Sequence, residues 1–413
     1  MSNQAGGGVG RRADTGYAVA DRAYWRRLTA LFCGGWFIIY ADRTVLYPLL
    51  TAVAKEFGLT GVQTGLITGT YFACYVSAQL SAGFLAERYG LKRILVLFAY
   101  IAAFGLVGFV WAGNFHLLLF VAGLHGAGAG AYFGMAYSIA IHTIPGPERG
   151  RAAGIINGGM ALGLVAGFAL AGPLFYATGS WRTPFLILAV PTFCMAWLFQ
   201  AVVRDVHVPR RRSTGIAELV KDSVLLRMNL AGFCVLYGWW MLLSWGPVFL
   251  QIERGISLTL SGVYTLAIAI TALPSGILLG RWSDRVGRKR LILCMLPLMA
   301  ASVASVALVS SHVGLLFLLL AYGAFGKLAW DPLAISWLGD TVARQRPESV
   351  AVAVSVFSFL SVLSAVVGPP VTGWIKDLTG SLAAGFYVAA AIVLVAFLLS
   401  VGLPDTAGRQ AKA

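Results

Sequence analysis

The sequence predicts an all-α integral membrane protein whose twelve transmembrane helices form two six-helix halves. Three observations carry that expectation. Of the 413 residues, 59% are hydrophobic and only 11% charged, whereas a soluble domain carries about 25% charged residues. So much apolar surface needs lipid as its solvent. Twelve mostly apolar runs each reach the roughly 20 residues that a spanning helix requires. A charged loop motif occurs twice, half a chain apart.

The elements follow in order. Residues 1–25 are Gly-rich and polar, without a separate apolar run. They read as a disordered cytoplasmic tail, not a cleaved leader. Spans 1 to 6 are expected at about 28–50, 63–86, 94–113, 116–141, 151–176 and 183–203, within an N-terminal half 26–203. A basic stretch with "VPRRRSTG" makes 204–228 a cytoplasmic linker. Spans 7 to 12 are expected at about 229–251, 258–280, 290–310, 313–338, 349–374 and 381–403, forming the half 229–403. Residues 404–413 are a second cytoplasmic tail.

Lys and Arg set the orientation, because they concentrate in cytoplasmic loops. With both termini inside a plasma membrane, only Lys55, Arg182, Arg254 and Lys376 face outside, and only Arg43 and Lys327 fall within spans. The rest of the 31 lie inside. This asymmetry accounts for the net charge of +15 without a nucleic-acid partner. Cys33, Cys74, Cys194, Cys234 and Cys294 all lie in apolar segments and form no CxxC pair, which argues against disulfides or zinc. No metal-ligand cluster, phosphate loop or nucleophile triad stands out. Neither a cofactor nor an enzymatic activity is expected, and the chain is expected to be a monomer in lipid.

The repeat is "GFLAERYGLKR" at 83–93 and "GRWSDRVGRKR" at 280–290, offset by 197 residues. Each has a glycine, an acid four positions on, an arginine, a second glycine and a basic pair. A weaker echo joins "GPLFYATGSW" (172–181) to "GPPVTGWIKDLTGS" (368–381). Parallel halves of this kind imply a pseudo-twofold along the membrane normal, with a site between them. Gly83 and Gly280 allow helices to approach closely. Glu87 and Asp284 stand where Arg88, Arg285 or a helix N-terminus can meet them.

Twelve spans, the six-and-six division and the doubled motif resemble the major facilitator superfamily, from about Arg26 onward. That resemblance implies alternating access, with the motif cluster latching the cytoplasmic side while the cavity faces outward. Arg149 and Arg151 in "GPERGRAAG" are candidate latch partners. The plainer alternative is positive-inside charge with no latch.

The interior charges ask for a function. One charge at a helix centre costs about 2.5–3.5 kcal/mol on insertion scales. Asp42 and Arg43 sit together in "FIIYADRTVLYPLL", fifteen residues or roughly 22 Å past Arg27 at 1.5 Å per residue. Neighbours on a helix diverge by about 100°, so at least one of the two turns to a central cavity. There a guanidinium suits a carboxylate, and a carboxylate suits proton coupling. The alternative is a neutral pair that orients span 1. His125 in span 4 and Lys327 and Asp331 in span 10 are the other deep ionisable groups. Lys327 and Asp331, at i,i+4, can neutralise each other. Alternatively Lys327 faces Arg43 and supplies a second positive contact. Tyr132, Tyr137, Tyr237, Trp240 and Trp330 are candidate cavity walls, with helix packing as the competing role.

"YADRTVLYPLL", "YFACYVSAQLSAG" and "YGWWMLLSWGPVFL" resemble the anion:cation symporter branch, which includes sialin-like and sugar-acid permeases. The resemblance implies proton coupling at Asp42, substrate carboxylate binding at Arg43, and cavity-lining roles for Tyr75 and Gln79. It also implies a small organic anion as substrate and a proton as coupling ion. Span 4 departs from the branch: Ala122 and Ala129 stand where it carries an Arg and a Glu. That leaves His125, which titrates near neutrality, or Asp331 to share the proton role. A drug or metabolite exporter of the same fold is the rival reading.

The latch expectation has a direct test. Glu87→Gln or Asp284→Asn should bias the protein toward an open cytoplasmic side, through populations more than intrinsic affinity. Spin-label distances between the cytoplasmic ends of spans 2 and 11 read this out, and unchanged distributions in both variants would count against a latch.

Overall fold

The computed structural model describes residues 14–206, 219 and 221–405. Residues 1–13, most of the "VPRRRSTG" linker and 406–413 lie outside the described residues. Everything described is helix or short connection. Among these residues, eleven segments are long and apolar enough to cross a membrane. Gly61–Tyr89 matches them in length at 29 residues, but Thr64, Thr68, Thr70, Ser77 and Gln79 make it more polar. It is span 2, and it is central: it packs on span 4 of its own half and on span 11 of the other. Thr64 and Thr68 are tolerated there because they are buried against protein rather than facing lipid.

Span 1 runs as Asp14–Thr44 and Leu46–Phe57, spans 3 to 6 as Leu91–Gly108, Phe115–Thr143, Gly146–Thr178 and Thr183–Val202. Spans 7 to 9 are Ser223–Ile252, Leu258–Val286 and Arg288–Leu308. Span 10 is broken into His312–Phe325 and Lys327–Ala343, and spans 11 and 12 are Val350–Thr379 and Ala383–Val401. Two boundaries differ from expectation. The helix of span 1 begins at Asp14, so the N-terminal tail is helical beyond residue 13; Trp25 and Leu28 are buried, and the Tyr24 hydroxyl accepts from the Arg204 amide at 2.9 Å. Span 7 starts six residues before the expected 229, because Asp222 caps it by accepting from the Val224 and Leu225 amides at 2.9 and 3.3 Å. That cap satisfies amides which would otherwise end a helix unpaired.

The repeat in the sequence is a repeat in backbone geometry. The second glycine of each charged motif, Gly90 and Gly287, has φ of 91° and 102°. Side chains rarely adopt that region, so glycine is needed to end spans 2 and 8 sharply. The weaker echo works the same way: Gly179 and Gly380 have φ of 67° and 76° and close spans 5 and 11. Within the halves, spans 2·4, 1·5 and 3·6 pack as do 8·10, 7·11 and 9·12; the halves meet through spans 2·11 and 5·8.

The two ends of that interface differ. At the end away from the basic loops the halves are in backbone contact. A Cβ on Gly61 or Gly65 would collide with the carbonyls of Gly373 and Pro369, and one on Gly172 with Thr259. The Asp377 carboxylate accepts from the amides of Gly61 at 2.6 Å and Val62 at 2.8 Å, so an acid of span 11 caps span 2. Gln251 Nε2 donates to the Pro48 carbonyl at 3.0 Å. At the basic end, a Cβ on Gly83 or Gly280 would meet nothing within 4 Å. The close approach expected at these two glycines is absent in this conformation, because the basic ends of spans 2 and 8 are splayed.

This asymmetry predicts a graded response. Gly65→Ala should wedge open the closed end and lower the population of this conformation, read as a longer spin-label distance between residues near 59 and 379. Gly83→Ala should not lengthen that distance. An equal effect of both substitutions would show that the closed end does not rest on glycine contact.

Candidate functional site

The helix of span 1 is interrupted next to its charges. Val45 separates its two helices, and Pro48 withholds the amide that would have reached back to Thr44. The Thr44 hydroxyl donates to the Tyr40 carbonyl at 2.6 Å. Asp42 and Arg43 are both buried, at 1% and 5% exposure, and they do not form an ion pair.

Asp42 turns into the N-terminal half. Its Oδ2 lies 2.8 Å from Thr192 Oγ1 of span 6, and that hydroxyl is also 2.7 Å from the Leu188 carbonyl. Asp42 Oδ1 has no hydrogen-bond partner.

Arg43 turns toward the other half. Its guanidinium carbon is 4.0 Å from the Tyr40 ring centroid, 5.4 Å from Phe72 and 5.1 Å from Trp240. Phe72 of span 2 and Trp240 of span 7 touch each other at 4.4 Å between centroids. The cage is thus built from both halves. Cation–π contacts of this kind are worth about 0.5–2 kcal/mol and ease the burial of the charge. They do not accept N–H groups: Nε and Nη2 are buried without partners. Each unmet buried donor costs about 1–3 kcal/mol, more when charged. The arrangement suits an acceptor carrying negative charge.

Beside these two residues is a pocket lined by Asp42, Arg43, Tyr47, Thr68, Tyr71 and His125 among others, with about 10 Å³ of room for a water centre. That is enough for one water molecule. His125 is buried, its ring edge-on to Tyr71 at 5.3 Å. The hydroxyls of Tyr47 and Tyr71 are buried and without partners.

In the C-terminal half, Lys327 Nζ bonds Asp331 Oδ2 at 2.7 Å, so the i,i+4 pair exists. Lys327 also lies within electrostatic reach of Tyr40 and Arg43 of the other half. Trp330 is buried with Nε1 unpartnered and lies 6.2 Å from Phe357.

The remaining sequence candidates divide. Tyr75 is buried, stacks on Tyr71 at 6.2 Å and feels the charge of Arg43. Gln79 is half-buried one turn further along span 2. Tyr237 is buried against Gly368 of span 11 with its hydroxyl unpartnered. Tyr132 is not brought to Arg43: its hydroxyl donates to the Phe32 carbonyl at 2.5 Å, and its ring packs on Trp36 at 4.9 Å. Tyr137 donates to Asn157 on the neighbouring span 5. At the basic end Glu87, Arg88, Asp284, Arg285, Arg149 and Arg151 are all exposed. Asp284 meets Arg288 of the next span at 3.6 Å, Arg288 pairs with Asp340, and Arg149 Nε donates to the Ile144 carbonyl at 2.9 Å. Both of these Arg288 ion pairs lie within the C-terminal half.

The sequence analysis missed Tyr40, Tyr71, Phe72, Thr192 and Asp340. Tyr40 carried a signal, since i−3 from Arg43 puts it on the same helix face. Thr192 carried none, because it reaches Asp42 from a span 150 residues away.

Comparison with known proteins agrees with this architecture. The profile of the Major Facilitator Superfamily matches residues 32–279 and 228–412. The chain is 24% identical to a probable galactarate/D-glucarate transporter GudP of Bacillus subtilis, covering 89% of this chain and 92% of that one. It is 22% identical to a putative tartrate transporter of Agrobacterium vitis, covering 90% and 92%. It is 29% identical to a putative metabolite transport protein of Haemophilus influenzae, over 60% of this chain and 65% of that one. A bacterial homologue of the human lysosomal transporter Spinster, solved inward-facing and occupied, superposes with a TM-score of 0.76 at 19% identity, covering 92% and 96%. With both halves matched and the fold shared, the chain belongs to the Major Facilitator Superfamily and is a multi-pass membrane transporter, not an enzyme.

Proposed function

We propose that the chain is a secondary active transporter that takes up a small organic anion by alternating access, coupled to protons. The observation that carries this reading is Arg43: a buried guanidinium, caged by aromatic rings from both halves, with two N–H groups unmet. A carboxylate answers both needs at once, because it accepts two parallel hydrogen bonds from the guanidinium fork. Relatives named as galactarate/D-glucarate, tartrate and hexuronate transporters support an acidic substrate. A lipophilic cation, as an exporter of the same fold would carry, finds a like charge in the cage.

The basic face is the cytoplasmic one in this reading, so the described conformation is inward-facing in a plasma membrane. Glu87, Arg88, Arg149, Arg151, Asp284 and Arg285 are then latch residues disengaged, and would meet when the cytoplasmic ends of the halves close around Gly83 and Gly280.

Asp42 is the proposed proton carrier, supported by hydrogen-bond accounting. The Thr192 hydroxyl has one proton and two acceptors in reach, Asp42 Oδ2 and the Leu188 carbonyl. A protonated Asp42 resolves the shortage by donating to Thr192, which donates on to Leu188. The one-water pocket shared with His125 offers the proton a way toward the cavity.

Two variants test the reading in proteoliposomes. Arg43→Ala and Arg43→Lys should each lower anion uptake by about tenfold or more at unchanged expression, since a point charge cannot replace the planar fork. Wild-type uptake by Arg43→Ala would remove the anion site. Asp42→Asn should lose accumulation driven by a pH gradient yet retain exchange of internal for external anion; retained proton-driven accumulation would take the proton role from Asp42.

A further inference from the structure

Span 10 is broken in the interior of the membrane. Its first segment ends at Phe325, and a new helix starts at Lys327. Gly326 makes the break. A Cβ there would press on the Tyr322 ring at 2.8 Å, so no larger residue fits the turn. The new helix runs for 17 residues and has no side-chain cap. The Gly326 carbonyl accepts from the amides of Ala329 at 3.1 Å and Trp330 at 3.0 Å, which leaves those of Lys327 and Leu328 at the positive end of the helix dipole.

The residue at that end has an unusual sign. An acid at a helix start is favourable and a cation is not, yet the first residue is Lys327. Helix dipole and ammonium add, making a strongly positive locus inside a membrane protein. Asp331, one turn on, answers with one hydrogen bond at 2.7 Å. The pair is not sealed: its side chains are 12% and 28% exposed, so the carboxylate can leave the ammonium for water. Two buried donors flank the break. The Tyr322 hydroxyl lies against the Lys327 amide, and both it and Trp330 Nε1 lack an acceptor although 0% and 3% exposed. The locus lies within electrostatic reach of the other cationic site, Arg43, and of Tyr40 beside it.

We propose that the start of the second segment of span 10 is a second anion subsite, whose ammonium Asp331 holds until a second acidic group of the substrate displaces it, so that the preferred substrate is a dianion bridging the two halves. This rests on the reading of Arg43 as the first subsite and deepens it. A monoanion bound at Arg43 leaves the Lys327–Asp331 pair intact. A dianion exchanges Asp331 for its own second acidic group, held at the positive end of the helix dipole. The bridge would tie span 1 to span 10, and thus the N-terminal half to the C-terminal half, when the right cargo is present.

The test compares two sugar acids of one carbon-chain length: galactarate, with two carboxylates, and galacturonate, with one. Binding is measured by calorimetry on the purified full-length protein in nanodiscs. The wild type should bind galactarate more tightly. Lys327→Gln should weaken galactarate by about tenfold or more, the loss of a charged hydrogen bond, and leave galacturonate within about twofold. Asp331→Asn should tighten galactarate and leave galacturonate unchanged. Because Lys327→Gln strands a carboxylate and can lower folded yield, the double variant Lys327→Gln, Asp331→Asn is measured too; it should fold and lose the preference for galactarate. A double variant that keeps the wild-type preference overturns the subsite, as does a wild type that binds neither compound or shows no preference. Arg43→Gln should abolish binding of both. If it alone behaves as wild type, the first subsite is wrong while the Lys327 result still stands.

Discussion

The guanidinium of Arg43 is the constraint around which this structure is arranged. A permanent charge in the middle of a lipid-spanning fold must be shielded, and three aromatic rings do this without neutralising it. Shielding by rings has a consequence that an ion pair would not have. An Asp42–Arg43 bridge would have cancelled the charge and left the interior inert. Asp42 instead turns away to Thr192, so two neighbouring residues have separate environments. The positive charge stays available to the cavity while the carboxyl is held against the Thr192 hydroxyl.

That division depends on packing from other spans. Thr192 comes from span 6, Phe72 from span 2 and Trp240 from span 7. Trp240 belongs to the C-terminal half, so the cage depends on how the halves sit relative to each other. The contacts that fix this relation lie at the end away from the basic loops, where backbone meets backbone at Gly61, Gly65 and Gly373. Contact through glycine is close but carries no side-chain interlock. Closure there rests on surface fit and a few hydrogen bonds such as those to Asp377, which is the kind of interface that two rigid bodies can leave and regain.

Much of this was legible in the sequence. Apolar runs long enough to cross a membrane gave the helices, and the doubled motif gave the two halves. The motif's second glycine had no physical reading until the structure showed that Gly90 and Gly287 occupy backbone conformations that other residues avoid. Deep charges in apolar runs pointed to Asp42, Arg43, Lys327 and Asp331. Aromatic residues were poorly ranked. Tyr132 and Tyr237 looked alike as cavity walls, yet the Tyr132 hydroxyl is taken up by the Phe32 carbonyl, whereas that of Tyr237 is unpartnered. A tyrosine's role depends on which helix lies opposite, and spacing along one helix holds no record of that. The same limit explains why Gly83 looked like a packing glycine while Gly65 went unremarked.

The sequence by itself determined the solvent, the helices, the halves and the residues too costly to bury without a purpose. These follow from local chemistry: hydropathy, charge and the steric freedom of glycine act within a few residues of where they are written. Only the tertiary structure decided how those residues are used. It separated Asp42 from Arg43, joined Lys327 to Asp331 at a broken helix, closed one end of the interface and splayed the other. Each of those outcomes is set by contacts between segments tens to hundreds of residues apart, such as Thr192 with Asp42 and Trp240 with Arg43. Their geometry exists only once the helices have packed.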